Sequence, residues 1–218
     1  MSFQWNAQQS PAILLEWHDL AAEPGAGSEL ATLLRCQLAP AALAAGIIDL
    51  GLFTPSGQPD RLLVLRGFVD RPARTAAYAR FLASANWVEA RASLAGLIRR
   101  HEVTLTRAIR PEAGLPGQPL GPLVVLRSDL RDPEALGNFH LWQRLLLRKA
   151  GLDPLAAYAT LEAVNDVPAV PVTRHATTHL ALMHDSGAAW PAMPPDLLAP
   201  LRFPPEWLRL ERVPALVA

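Results

Sequence analysis

The chain has 218 residues, of which 50% are hydrophobic and 18% charged, enough apolar material for one large or two small cores and too much for a disordered chain. Twenty basic side chains balance twenty acidic ones, so no net field draws the protein to nucleic acid or to an anionic membrane. A single cysteine, Cys36, excludes an intrachain disulfide framework and a multi-cysteine metal site.

The sequence opens without a basic region followed by an apolar run, and no apolar stretch reaches bilayer-spanning length, so the expected location is cytoplasmic. Lys149 is the only lysine against many arginines, a usage that fits a GC-rich bacterial genome.

Residues 12–20 alternate as a strand, with Ile13, Leu15 and Trp17 on one face and Leu14, Glu16 and His18 on the other. Gly25 and Gly27 lie in a turn, after which Ser28 is expected to cap a helix carrying Leu30, Leu33, Leu34 and Leu38 and ending near Pro40 and Gly46. Cys36 is expected to be a small buried residue of that helix. Strands follow at 47–53 and 61–69, joined by a turn through Pro55, Gly57 and Pro59. Asp70 and Pro72 open a helix with Tyr78, Phe81 and Leu82 on one face, continuing past Trp87 to Ile98. A fourth strand is predicted at 101–109.

This order, strand, helix, strand, strand, helix, strand, is the split βαβ arrangement of a ferredoxin-like unit. A Gly- and Pro-rich stretch follows, and then the pattern repeats. Strands are expected at 123–128, 156–164, 177–183 and 207–213, with a helix carrying Phe139, Trp142 and Leu146. The closing helix is reduced by six prolines to a short turn around Leu197 and Leu198. The predicted organisation is a first unit at 1–113, a linker at 114–121 and a shortened second unit at 122–218, in the α+β class.

Glu16 followed by Pro24 and Gly25, then Phe68, Arg74 and Trp87, match in spacing the short motifs of the NIPSNAP family, and Leu126 and Arg127 match its Leu-Arg pair in the second copy. The chain resembles that family over residues 12–109 and more weakly beyond. It departs where His18 takes the place of an Arg, and where Asp60, Val64 and Arg66 replace Asn, His and Trp. The resemblance implies two tandem ferredoxin-like units whose sheets pair into a dimeric α/β-barrel, with homodimers expected. Barrels of this wider group include oxygenases and isomerases as well as members with no settled activity, so fold does not select a reaction.

The candidate pocket comprises Glu16, His18, Arg66 and Thr104 in the first unit and Arg127, His175 and His179 in the second. Glu16, His18, Arg66 and Thr104 are expected to point away from the helices into the barrel, where a carboxylate, an imidazole and a guanidinium can hold an anionic molecule and move a proton. A plainer reading makes Glu16 and Arg66 a buried ion pair. His175 and His179 share a strand face and His184 takes the other, so this run offers two ligands together, short of the three that zinc needs. No cofactor is called for, although haem or flavin stays open.

The turn at Gly25 and Gly27 lacks the third glycine and the basic residue of a phosphate loop, and no serine sits in a Gly-x-Ser-x-Gly frame. The expected function is binding of a small hydrophobic or anionic molecule in the barrel interior. The alternatives are a monooxygenase- or isomerase-type enzyme using His18 or His175 with Arg66, and a structural protein whose barrel is filled by its own side chains.

Overall fold

The computed structural model describes residues 11–110, 115, 117, 119–173 and 177–214. The first half supplies β1 (Leu14–Ala22), β2 (Ile48–Pro55), β3 (Arg61–Phe68) and β4 (Ile98–Ala108). The second supplies β5 (Leu123–Leu130), β6 (Pro154–Thr160), β7 (Thr177–His184) and β8 (Glu206–Arg212). These eight strands close one barrel in the order β1-β3-β2-β8-β5-β7-β6-β4. Each half contributes the split βαβ order, 4-1-3-2 and 8-5-7-6. Two antiparallel seams join them, with Phe53 opposite Arg212 and Thr106 opposite Thr160. The sheet face that a single unit leaves open is therefore covered by the other half of the same chain.

Leu15, Trp17, Leu63 and Leu65 from the first half meet Val125, Leu180, Leu182 and Leu208 from the second inside the barrel. Tyr158 joins them, donating to the Ala12 carbonyl at 2.5 Å and accepting from the Leu115 amide at 2.9 Å. The interior is thus packed with side chains. Leu14, Leu20, Val64 and Phe68, from the same strands, face outward and pack beneath the helices. The expected assignment of inner and outer faces on β1 and β3 is reversed, because these strands are buried on both sides. Period-two alternation then says which residues share a face but not which face looks inward.

The first helix starts at α1 (Gly27–Leu33), passes through one π-turn at Leu34–Leu38 and continues as α2 (Ala39–Ala44). Pro40 has no amide hydrogen to return to the carbonyl four residues earlier, and the π-turn carries the helix past that gap instead of ending it there. Cys36 lies in the π-turn and is exposed rather than buried. Ser28 is not the cap. Instead the Asp60 carboxylate, from the β2–β3 turn, accepts from the Gly25 and Gly27 amides at 2.9 and 3.1 Å. A side chain on Gly27 would place its Cβ 2.0 Å from the Pro59 carbonyl oxygen.

The second predicted helix divides into α3 (Arg71–Leu82), capped by Asp70 to the Ala73 amide at 2.7 Å, and α4 (Ala85–Leu97), capped by Ser84 to the Trp87 amide. Over the second half lie only α5 (Leu136–Lys149) and the four-residue α6 (Pro195–Leu198). The helical wall over the first half is therefore the deeper one.

Asp60 satisfies two helix-terminal amides at once. Asp60→Ala is expected to lower the unfolding free energy by about 1–2 kcal/mol in urea titrations, and Asp60→Asn by less, since an amide oxygen still accepts.

Candidate functional site

Glu16 and His18 project from β1 on its outer face, toward α3 rather than into the barrel. The Glu16 carboxylate is fully buried and fully engaged. Oε1 accepts from Arg74 Nε at 2.6 Å, and Oε2 accepts from Tyr78 Oη at 2.5 Å and from His18 Nε2 at 2.9 Å. Arg74 and Tyr78 are one helical turn apart on the inner face of α3, so both meet the same carboxylate. Burial pushes the Glu16 carboxyl up, but the His18 hydrogen bond, the Arg74 guanidinium and the Tyr78 hydroxyl outweigh it and hold the group well below the usual range.

With Glu16 ionised and accepting only, His18 must carry its proton on Nε2. Burial, reinforced by Arg66 and Arg74 and opposed by Glu16, lowers the His18 pKa, so the ring is neutral and Nδ1 is an acceptor. His18 Nδ1 lies 3.0 Å from His101 Nε2 on β4, which must therefore donate. Burial, followed by His18 and Arg66, pushes His101 down to about 3. The chain His101–His18–Glu16 thus ends in a neutral imidazole whose Nδ1 has no hydrogen-bond partner among the described residues.

Arg66, on the outer face of β3, donates to Tyr78 Oη at 3.1 Å and lies 5.2 Å above the Phe81 ring. The predicted Glu16–Arg66 ion pair is not formed; Glu16 pairs with Arg74, and Arg66 reaches it only through Tyr78. Arg66, His18, His101 and Tyr78 form the polar end of a cavity of ≈ 320 Å³ between the sheet and the helices. Its apolar walls include Leu34, Leu38, Phe81, Trp87 and Leu94. Ala169 and Val170 close it, and these come from the second half.

They belong to the connection between β6 and β7, which is not strand beyond Thr160 but crosses onto the first half. Val172 pairs with Val103 of β4, and Val167 and Val170 join the outer core. Asp166 of this loop binds Arg74 and accepts from Thr75 Oγ1 at 2.8 Å.

The other expected pocket residues lie elsewhere. Thr104 and Arg127 face the barrel interior; Arg127 stands 3.6 Å from Asp129, which accepts from Thr178 Oγ1 at 2.6 Å. His179 is outward and buried beneath α5, 3.1 Å from His140 Nδ1. His175 lies outside the described residues. Seven residues expected in one barrel pocket therefore resolve into Glu16, His18 and Arg66 at the helix-side cavity, two inside the barrel and one beneath α5, with His175 not described. Arg74, Tyr78, His101 and Asp166 complete the site without having been assigned to it. The signal for Arg74 was its spacing of four from Tyr78 on a helix face that is otherwise apolar.

No protein-family model matches the sequence, and no curated protein is significantly similar to it. Solved structures do match. A proposed monooxygenase from Lactobacillus acidophilus superposes with a TM-score of 0.53 at 8% identity, over 91% of this chain and 93% of its own. The two chains share one fold from end to end. Single-unit structures match about half of the chain: a NIPSNAP domain protein from Burkholderia xenovorans (TM-score 0.39, 16% identity, 42% of this chain and 90% of that one) and a NIPSNAP family protein from Agrobacterium tumefaciens (0.39, 16%, 42% and 89%). Among the described residues no group of three or more His, Cys, Asp or Glu side chains is arranged to hold a metal, and no helix is long and apolar enough to cross a membrane.

The buried imidazoles make stability depend on pH. An unfolded histidine takes a proton near pH 6.5, whereas His101 in the folded protein does so only near pH 3, so the unfolded state binds more protons as pH falls. Stability is expected to decline from pH 6.5 toward pH 3. His101→Gln should flatten the part between pH 6.5 and 4.5, above the carboxylate range, in melting temperatures recorded across that window.

Proposed function

We propose that the helix-side cavity binds a small, mainly apolar molecule carrying one acidic or enolisable oxygen, and that His101 removes a proton from it. The observation that carries this reading is the continuous chain His101–His18–Glu16, which ends at the wall of a ligand-sized cavity that also holds Arg66. The described residues of the barrel interior pack against one another, which favours the helix-side cavity over the interior binding expected from sequence.

The chemistry follows from the charges. His101 and His18 are neutral in part because Arg66 lies near them. A ligand oxygen gaining negative charge beside Arg66 offsets that repulsion, so the base strengthens as proton transfer proceeds. His18 holds His101 in the tautomer with Nδ1 free, and Glu16 fixes His18 in turn, the role an orienting carboxylate plays behind an imidazole base. Arg74 and Tyr78 keep that carboxylate ionised and immobile.

A monooxygenase outcome, as proposed for the Lactobacillus protein, differs from an isomerase outcome in the fate of the enolate or phenolate, which reacts with dioxygen in the first and is reprotonated in the second. Measuring hydrogen–deuterium exchange at the acidic carbon of a panel of ketones by NMR, alongside oxygen uptake, separates the two. Wild type is expected to catalyse exchange of at least one apolar ketone, and His101→Gln to slow it by about 10²-fold. Binding without exchange in wild type would reduce the protein to a binder.

A further inference from the structure

Arg66 also borders a second cavity. This one, ≈ 200 Å³, lies between α1–α2, β2 and the end of β8, and shares Leu34, Val64 and Arg66 with the larger one. The two chambers thus share a wall of three residues, of which Arg66 is the charged one. Their chemistry differs: the larger is mostly apolar beyond its polar end, whereas the smaller carries Arg35, Arg66 and Arg212 in its wall.

Asp49 is the one acidic side chain lining the smaller chamber. A bulge between Asp49 and Gly51 sets it there, with Gly51 at φ +138 and its amide donating to Asp49 Oδ1 at 3.1 Å. Burial pushes the Asp49 carboxyl up, against Arg66 and Arg212. The chamber wall thus carries three guanidiniums, two of them acting on one carboxyl that ionises reluctantly. Arg35 donates to the Pro214 carbonyl but leaves Nε buried without a partner, a polar atom that an anion in the chamber can satisfy. Neither Arg35 nor Arg212 has a salt bridge among the described residues, and an unpaired guanidinium is suited to a planar carboxylate, which it binds through two parallel hydrogen bonds.

We propose that the two chambers form one bipartite site for an oxo acid with an apolar substituent. The substituent fills the larger cavity, the carbonyl meets Arg66 at the junction, and the carboxylate is held by Arg35 and Arg212 in the smaller cavity. The carbonyl's place rests on the proton-abstraction reading above; the carboxylate's place does not. The arrangement accounts for the three arginines in the wall of the smaller chamber, beside a larger one whose lining is mainly apolar apart from its polar end and Arg91, and it defines the ligand by two features.

The test compares 4-phenyl-2-oxobutanoate with its methyl ester, which keeps the shape and loses the charge, by calorimetric titration of the full chain. Wild type is expected to bind the acid at least about tenfold more tightly than the ester, with a preference that shrinks as salt is raised. Arg212→Gln is at an exposed strand end, and Arg35→Gln at a partly exposed helix position; each is expected to cut the preference several-fold, and the double variant to remove it while the ester's affinity and the melting temperature hold. Equal affinity of wild type for acid and ester overturns the proposal, as does a double variant that keeps the preference. Exchange in 4-phenylbutan-2-one, which lacks the carboxylate, reports on His101 separately. Exchange without acid preference sinks the bipartite site alone, and acid preference without exchange sustains it while removing the base.

Discussion

A carboxylate shut away from water is costly unless donors and an opposite charge replace the water, and Glu16 has three donors from two elements, one of them a guanidinium. Arg74 and Tyr78 reach it from α3 and His18 from its own strand, so the position of α3 over the sheet is set by hydrogen bonds as well as by apolar contact. Removing Arg74 leaves charge unpaired in the core and removing Tyr78 or His18 leaves an acceptor open, so the angle of the helix, the tautomer of His18 and the state of His101 are all tied to one side chain. The cavity exists in the space this arrangement leaves beside α3 and α4.

The fold was largely legible from the sequence. Eight strands occur in the expected order, β6 ending four residues short of its expected limit, and the proline-rich end of the chain leaves α6 only four residues long, in keeping with six prolines. What alternation does not encode is polarity of burial. Leu14, Glu16, His18 and Leu20 share one face of β1 and Leu15 and Trp17 the other, yet both faces are buried, so the pattern carries no label for inside. The helix through Pro40 is a second case: proline stops an α-helix by removing one hydrogen bond, and a π-turn that shifts the ladder removes the reason to stop.

The site was legible in part, and the division has a physical basis. Glu16, His18 and Arg66 stand out because ionisable residues in otherwise apolar strands demand partners. Their partners beyond one another come from 12 to 83 positions away in sequence, from α3 and β4, with Asp166 of the β6–β7 loop joining through Arg74, and no local pattern announces such pairings. Arg127 and Thr104 were grouped with them as barrel-facing residues and do face the barrel; it is the reversed faces of β1 and β3 that take Glu16, His18 and Arg66 out of it. His179 is separated by lying on the other half's outer face, where it meets His140 instead of the cavity.

The β6–β7 loop lends its Asp166 to the same guanidinium that holds Glu16. A residue of the second half thereby shares a guanidinium with the hydrogen-bonded chain of the first. Ala169 and Val170 line the cavity a few residues on from Asp166, so a shift of the loop there would carry Asp166 with it. Arg74 then has one carboxylate to serve in place of two, and the field on Glu16, His18 and His101 changes in the same movement. The wall of the cavity and the charge balance at Glu16 thus meet in one loop, and a substitution in the second half that moved Asp166 would be felt in the first half through Arg74.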